Sequence, residues 1–192
     1  VGEWDRALFF WVNSWPDWLN PMMQFFSEGN KWWPVRIAFV ALFVWLLSRE
    51  KYRWAAIIAV LASLISNEAT DVIKAAWPTL RPSDPAAGVE ALHLRVSPLT
   101  SFGTASAHAA NMAAVATVLM RLAPKVGAAF VAVAFFTGLA RVYVGVHFPY
   151  QVVLGWTTGV VVGWLLVSVY RLLLGRKEAI EERSKSTDPT DE

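Results

Sequence analysis

The chain has 192 residues, of which 56% are hydrophobic and 11 are tryptophan, and its mean hydropathy is +0.41. A soluble protein of this length would have to bury nearly all of that apolar surface in one core, so the composition places the chain in a membrane. The net charge of +2 says little, because the cations are segregated by position and do not form the basic patch of a nucleic-acid binder; the absence of cysteine excludes disulfides and thiolate metal sites.

In chain order, residues 1–31 do not read as a span. They carry Glu3, Asp5, Arg6, Asn13, Pro16, Asp17, Asn20, Pro21, Glu28 and Lys31, and they lack the basic n-region of a cleavable signal. Six tryptophans (Trp4, Trp11, Trp15, Trp18, Trp32 and Trp33) crowd the first 33 residues. Tryptophan favours the headgroup layer, so two short amphipathic helices are expected on the outer interface, at 3–14 and 17–28. The alternative is a single imperfect sixth span through 6–28, which would bury those polar groups.

Five apolar runs follow, at 33–49, 54–73, 106–122, 125–141 and 150–173. Each approaches the ~20 residues needed to cross hydrocarbon, the first being short. The fold class expected is therefore all-α, a polytopic membrane bundle of about five transmembrane helices with interfacial helices at its N-terminus. Arg49, Lys51 and Arg53 lie between the first two runs, Arg121 and Lys125 between the third and fourth, and Arg171, Arg176 and Lys177 after the fifth. Five spans put all three clusters on one side, and the positive-inside rule makes that side cytoplasmic. The loop 82–104, with Pro82, Pro85, Gly88, Pro98 and Gly103, is expected to be ordered in part. Residues 1–174 then form one membrane-embedded domain, and 175–192 a polar cytoplasmic tail.

Lys74 and Arg81, His108 and Ser106, and Arg141 and His147 all fall at the opposite ends of these runs. A cation there is costly without an anionic partner. Each has a simple structural role available: Lys74 and Arg81 as snorkelling anchors, Ser106 as an N-cap, Arg141 and His147 paired with Glu68 or Asp71. Together on one membrane face, they form a site for phosphate. Arginine grips phosphate with paired hydrogen bonds, and the backbone amides of Ala107 and its neighbours at a helix start add donors. Two histidines allow one to attack phosphorus while the other protonates the leaving group. Fixed cations supply the electrostatic stabilisation, so neither a metal nor any other cofactor is required.

The elements KAAWPTLRP (74–82), SFGTASAHAAN (101–111) and ARVYVGVHFPYQ (140–151) resemble the type 2 phosphatidic acid phosphatases, integral-membrane lipid phosphatases. The resemblance runs from about residue 5 to 173 and is nearest to bacterial lipid A phosphatases. It implies that His147 is the nucleophile that forms a phosphohistidine and that His108 is general acid and then base. It also implies that Lys74, Arg81, Ser106, the Ala107 amide and Arg141 hold the phosphate. Four positions depart from the family pattern. Ala105 and Ala107 stand where proline and glycine are usual, Ala140 where serine is usual, and Gln151 where an aspartate usually orients the nucleophilic histidine. Gln151 can still accept from a ring N–H and fix the tautomer.

The expected activity is removal of phosphate from a membrane lipid at the periplasmic face of a bacterial inner membrane. Candidate substrates are lipid A, phosphatidylglycerol phosphate, phosphatidic acid and undecaprenyl diphosphate. Alternatives are a lipid phosphotransferase, or a phospholipid-binding homologue weakened by Gln151. The bilayer and a lipid phosphate are the expected partners.

Overall fold

The computed structural model describes residues 2–186, with side chains through residue 177. Seven α-helices run α1 Glu3–Asn13, α2 Asn20–Glu28, α3 Trp33–Ser48, α4 Glu50–Ala76, α5 Ala107–Leu122, α6 Pro124–Tyr143 and α7 Pro149–Ser186. No strand occurs among the described residues. α3 to α7 coincide with the five apolar runs.

By length and composition, α4, α6 and α7 are each sufficient to cross a membrane, and the segments Asp17–Lys31 and Trp33–Ser48 qualify together across a 66° bend. α3 and α5 have only 16 residues each. That is roughly 24 Å of helix, short of the ~30 Å hydrocarbon layer. For α5 the reason lies in its position. It packs against α4, α6 and α7, and Met120 is its only exposed large hydrophobic residue, whereas α4 and α7 present Val60, Leu61, Leu64, Val160, Val161 and Leu165 outward. A helix enclosed by protein is selected for close approach rather than for contact with lipid.

The approach is made through small residues on both sides. Gly155, Gly159 and Gly163 recur every fourth position on α7, and a Cβ on them would run into Ser106, Ala110 and Ala114 of α5. Ala109, Ala110, Ala113 and Ala114 are buried at this seam. Without a hydrophobic drive between helices in lipid, such close backbone packing provides the association.

α1 and α2 form where amphipathic helices were expected. Phe9, Val12 and Asn13 face inward on α1 while Trp4 and Trp11 are exposed; Met23 and Ser27 face inward on α2 while Met22 and Phe25 are exposed. The chain breaks after Asn13 and restarts through a 3₁₀ turn at Asp17–Leu19, so no continuous helix spans 6–28. α7 continues to Ser186, well past the apolar run that ends at 173. Its last turns are rich in Arg, Lys and Glu, good helix formers in water. Polarity there marks the expected edge of the membrane and not the end of the helix. The rest of the expected tail, 187–192, lies outside the described residues.

The bundle has two distinct ends. One carries the α3–α4 and α5–α6 turns with their arginines and lysines, and the Arg171 guanidinium of α7 donates to the Arg121 carbonyl there at 3.1 Å. At the other end α1, α2, the segment 77–106 and the α6–α7 turn meet.

Candidate active site

The α6–α7 turn is built to deliver two side chains inward. Arg141 lies in the last turn of α6, with its side chain 1% exposed. Gly145 adopts φ +85°, and a Cβ there would press on Leu92 and the His93 carbonyl. Only glycine takes that conformation without cost. The turn closes with the Val146 and His147 amides donating to the Arg141 carbonyl, both at 3.2 Å. Asp5 of α1 accepts from the Tyr150 amide at 2.8 Å and so caps the start of α7.

His147 is held on both sides of its ring. The Arg81 Nη1 group lies 2.6 Å from Nε2, and Gln151 Oε1 lies 3.1 Å from Nδ1. The Gln151 amide is itself oriented without ambiguity. Its oxygen accepts the Phe148 N–H at 3.1 Å, and its nitrogen donates to the Leu80 carbonyl at 2.9 Å. The oxygen can only accept and the guanidinium can only donate, so the proton resides on Nδ1 and the lone pair on Nε2. Burial, then the charges of Arg81 and Arg141, hold the His147 pKa well below the ordinary imidazole value, against the opposing Gln151 hydrogen bond. The ring is therefore neutral and directed.

Arg81 is fixed by its loop. It donates from Nε to the Ser101 carbonyl at 2.6 Å and from Nη2 to Ser101 Oγ at 3.1 Å and the Phe102 carbonyl at 3.0 Å. Burial and the Arg141 charge lower its pKa to about 10. Gly103 lies flat against this assembly, where a Cβ would collide with the Gln151 amide and the Arg81 stem. A buried guanidinium whose charge is opposed by a second guanidinium is an environment that an anion relieves.

Arg141 donates from Nη1 to Ser27 Oγ at 2.8 Å and to Glu28 Oε1 at 3.2 Å. Its Nε is buried without a hydrogen-bond partner, as is Nε2 of His108. Ser106 caps α5, its Oγ facing the Ala109 amide at 3.5 Å, and its carbonyl takes the Ala110 amide at 2.9 Å. The Ala107 and His108 amides lie in the first turn of α5, where backbone donors have no acceptor within the helix. Among the described residues only glycines have positive φ, so Ala107 sits in this helix start without backbone strain.

The structure thus brings together Arg81, Ser106, Ala107, His108, Arg141, His147 and Gln151. Lys74 differs: its ammonium meets Asp71 at 2.8 Å, one turn back on α4. Glu68 is exposed, and neither Glu68 nor Asp71 is paired with Arg141 or His147. The carboxylate that does meet Arg141 comes from Glu28, on a segment read from sequence as an interfacial float. The same segment ties down the site's outer wall. Asn13 is fully buried and donates to the His93 and Tyr143 carbonyls, each at 2.9 Å, while accepting from the His93 amide at 2.9 Å. Arg95 stacks over the Tyr143 ring at 4.2 Å and binds Asp17 at 2.9 Å. The only hint of this in sequence was the number of polar groups among apolar neighbours in 1–31. No cluster of three or more His, Asp or Glu suited to a metal occurs among the described residues.

The fold is similar to that of Aquifex aeolicus LpxE, with a TM-score of 0.69, 21% identity, and coverage of 85% of this chain and 94% of that one. It is also similar to a transmembrane PAP2 type phosphatidylglycerolphosphate phosphatase from Bacillus subtilis, with a TM-score of 0.64, 21% identity, and coverage of 87% and 84%. At that identity the likeness is one of fold. No curated protein sequence matches the chain. The model of the PAP2 superfamily matches residues 52–173, the stretch that contains every residue of the candidate cluster from Lys74 to Gln151. With more than half of the sequence matched and the arrangement of helices shared, the chain belongs to the PAP2 superfamily.

Proposed function

We propose that this protein hydrolyses a phosphate monoester carried by a membrane lipid, through a phosphohistidine on His147. The observation that carries the reading is the two-sided hold on that ring, which presents a neutral nitrogen lone pair beside two arginines. In the ground state Nε2 accepts from Arg81. An incoming phosphate oxygen competes for the Arg81 donor and frees the lone pair. Nε2 then attacks phosphorus as the ester P–O bond breaks, and protonated His108 gives its proton to the leaving alkoxide. In the second half His108 takes a proton from water, the oxygen attacks phosphorus, and the P–N bond breaks. Arg81, Arg141 and the Ala107 and His108 amides meet the equatorial oxygens. Lys74 acts from the rim, where a phosphate would compete with Asp71.

The candidate substrates are lipid A, phosphatidylglycerol phosphate, phosphatidic acid and undecaprenyl diphosphate. One of the solved structures similar in fold is named as a phosphatidylglycerolphosphate phosphatase. Phosphate release from purified examples of each, in detergent with and without EDTA, tests the reading. Turnover is expected to persist in EDTA and to be inhibited by vanadate, whose trigonal-bipyramidal adduct imitates the transition state. Loss of activity in EDTA that Mg²⁺ or Zn²⁺ restores would contradict it. Binding of lipid without release of phosphate from any of them would favour the phospholipid-binding alternative.

The charged turns support a cytoplasmic placement for that end of the bundle in a bacterial inner membrane, with residues 1–174 embedded, the tail inside and the His147 end facing the periplasm. A cysteine at exposed Ser97 should react with a membrane-impermeant maleimide once the outer membrane is permeable, and one at exposed Ser48 should not. The wild-type chain has no cysteine to confuse the result. The reverse pattern would place the substrate in the cytoplasmic leaflet.

A further inference from the structure

A cavity of about 420 Å³ opens beside His108, lined by Phe25, Phe26, Phe39, Asn67 and Asn111 among others. It is bounded mainly by apolar and aromatic side chains. A second cavity of about 400 Å³ shares Phe39, Ser63 and Met112 with it and continues between α3, α4, α5 and α6 past Leu42, Val60 and Phe130. The polar groups are therefore gathered at the His108 end, and the remainder suits a hydrocarbon chain.

Asn111 stands out at that polar end. It follows His108 by three residues on α5, so both project from one face, with Cβ atoms roughly 5–6 Å apart. Its carboxamide oxygen is buried and has no hydrogen-bond partner. The contrast with Gln151, every polar end of which is satisfied by protein, is informative. A buried acceptor without a donor costs about 1–3 kcal/mol, and native proteins rarely tolerate it without a reason. Asn67, across the cavity, does not satisfy it; its amide donates to Asp71 Oδ2 at 3.4 Å.

We infer that Asn111 is a specificity-determining residue that accepts a hydrogen bond from a hydroxyl or amide N–H on the substrate carbon next to the phosphoester carbon. This rests on the phosphatase reading, in which His108 protonates the ester oxygen. A donor on the adjacent carbon lies roughly 3 Å from that oxygen, a hydrogen bond's length, which matches the one-turn step from His108 to Asn111. The class selected is phosphate on a polyol or amino-sugar scaffold. A polyprenyl phosphate has only C–H groups at that position and would leave the acceptor unpaired. Sites built to bind a polar group reject the analogue that lacks it much more strongly than apolar pockets reject an extra group.

The test uses two substrates in the same detergent: monooleoyl glycerol phosphate with a free hydroxyl on the middle carbon, and the analogue with hydrogen there. The quantity read is the ratio of their kcat/KM values. It is internal to each preparation, so unfolded protein lowers both rates without altering the quotient. The wild type should favour the hydroxyl substrate by roughly 10- to 100-fold. Asn111→Leu should bring the ratio near one, and Asn111→Ser should give an intermediate value. A wild-type ratio near one, or a ratio unchanged in both variants, overturns the assignment and leaves the phosphatase reading standing. Failure of the wild type to release phosphate from either substrate counts against that reading and removes this inference with it.

Discussion

Replacing His147 with alanine is expected to lower phosphate release by at least about four orders of magnitude, because no other group can take the place of the attacking nitrogen. The protein should still fold and insert. Arg81 loses one partner but keeps the Ser101 and Phe102 carbonyls, Ser101 Oγ and the Val146 carbonyl at 3.2 Å. The turn around residue 147 is held by main-chain bonds that alanine preserves. The stability cost should stay within about 2 kcal/mol, as for most substitutions that leave no charge unpaired. Wild-type enzyme quenched during turnover with labelled substrate should carry acid-labile phosphate, and the variant should carry none. Phosphate release near the wild-type rate from His147→Ala would end the assignment of His147 as nucleophile.

The bundle was legible in the sequence because membrane spans announce themselves by length and apolarity. The five runs at 33–49, 54–73, 106–122, 125–141 and 150–173 each became one helix. Arg81, His108, Arg141 and His147 were legible because a cation or imidazole at the end of an apolar run is costly unless it has a use. Partners were not legible. Arg141 finds Glu28, 113 residues away, and Asn13 finds Tyr143 at a separation of 130. No local pattern encodes such pairings. The role of α1 and α2 was read incompletely for the same reason. Their exposed tryptophans identify an interfacial face, but Asp5, Asn13, Ser27 and Glu28 act on the other face, where only the tertiary fold gives them meaning. The glycine stripe at 155, 159 and 163 was present in the sequence, yet its use depends on the alanines of α5 opposite. The helical continuation of α7 to Ser186 was not legible, because polarity marks the edge of a span and says nothing of where the helix stops.

Gln151→Leu should lower kcat by about 10²- to 10⁴-fold with KM little changed, because Gln151 acts through His147 and touches no substrate. Leucine matches the buried volume but leaves the His147 Nδ1–H and the Phe148 N–H without an acceptor, and the Leu80 carbonyl without its donor. Once phosphate draws the Arg81 donor away from Nε2, nothing then holds the proton on Nδ1; the imidazole can turn or adopt the other tautomer, with its proton on Nε2, and in that form it cannot attack. Gln151→Asp separates the two functions of the amide. A carboxylate still accepts from Nδ1–H and offers a charge to the imidazolium that develops as the P–N bond forms, raising the His147 pKa. It cannot donate to the Leu80 carbonyl, to Thr79 Oγ1 or to the Tyr150 hydroxyl, which now receive the Gln151 N–H groups at 2.9, 3.2 and 3.2 Å. The aspartate variant is therefore expected to stay within about tenfold of the wild-type rate and to lose about 1–3 kcal/mol of stability, read from melting in detergent. That pattern would assign the tautomer to the oxygen and the architecture to the nitrogen. Equal loss of activity in both variants would show instead that the donors to Leu80 and Thr79 position the ring, and that the hydrogen bond to Nδ1 contributes little by itself.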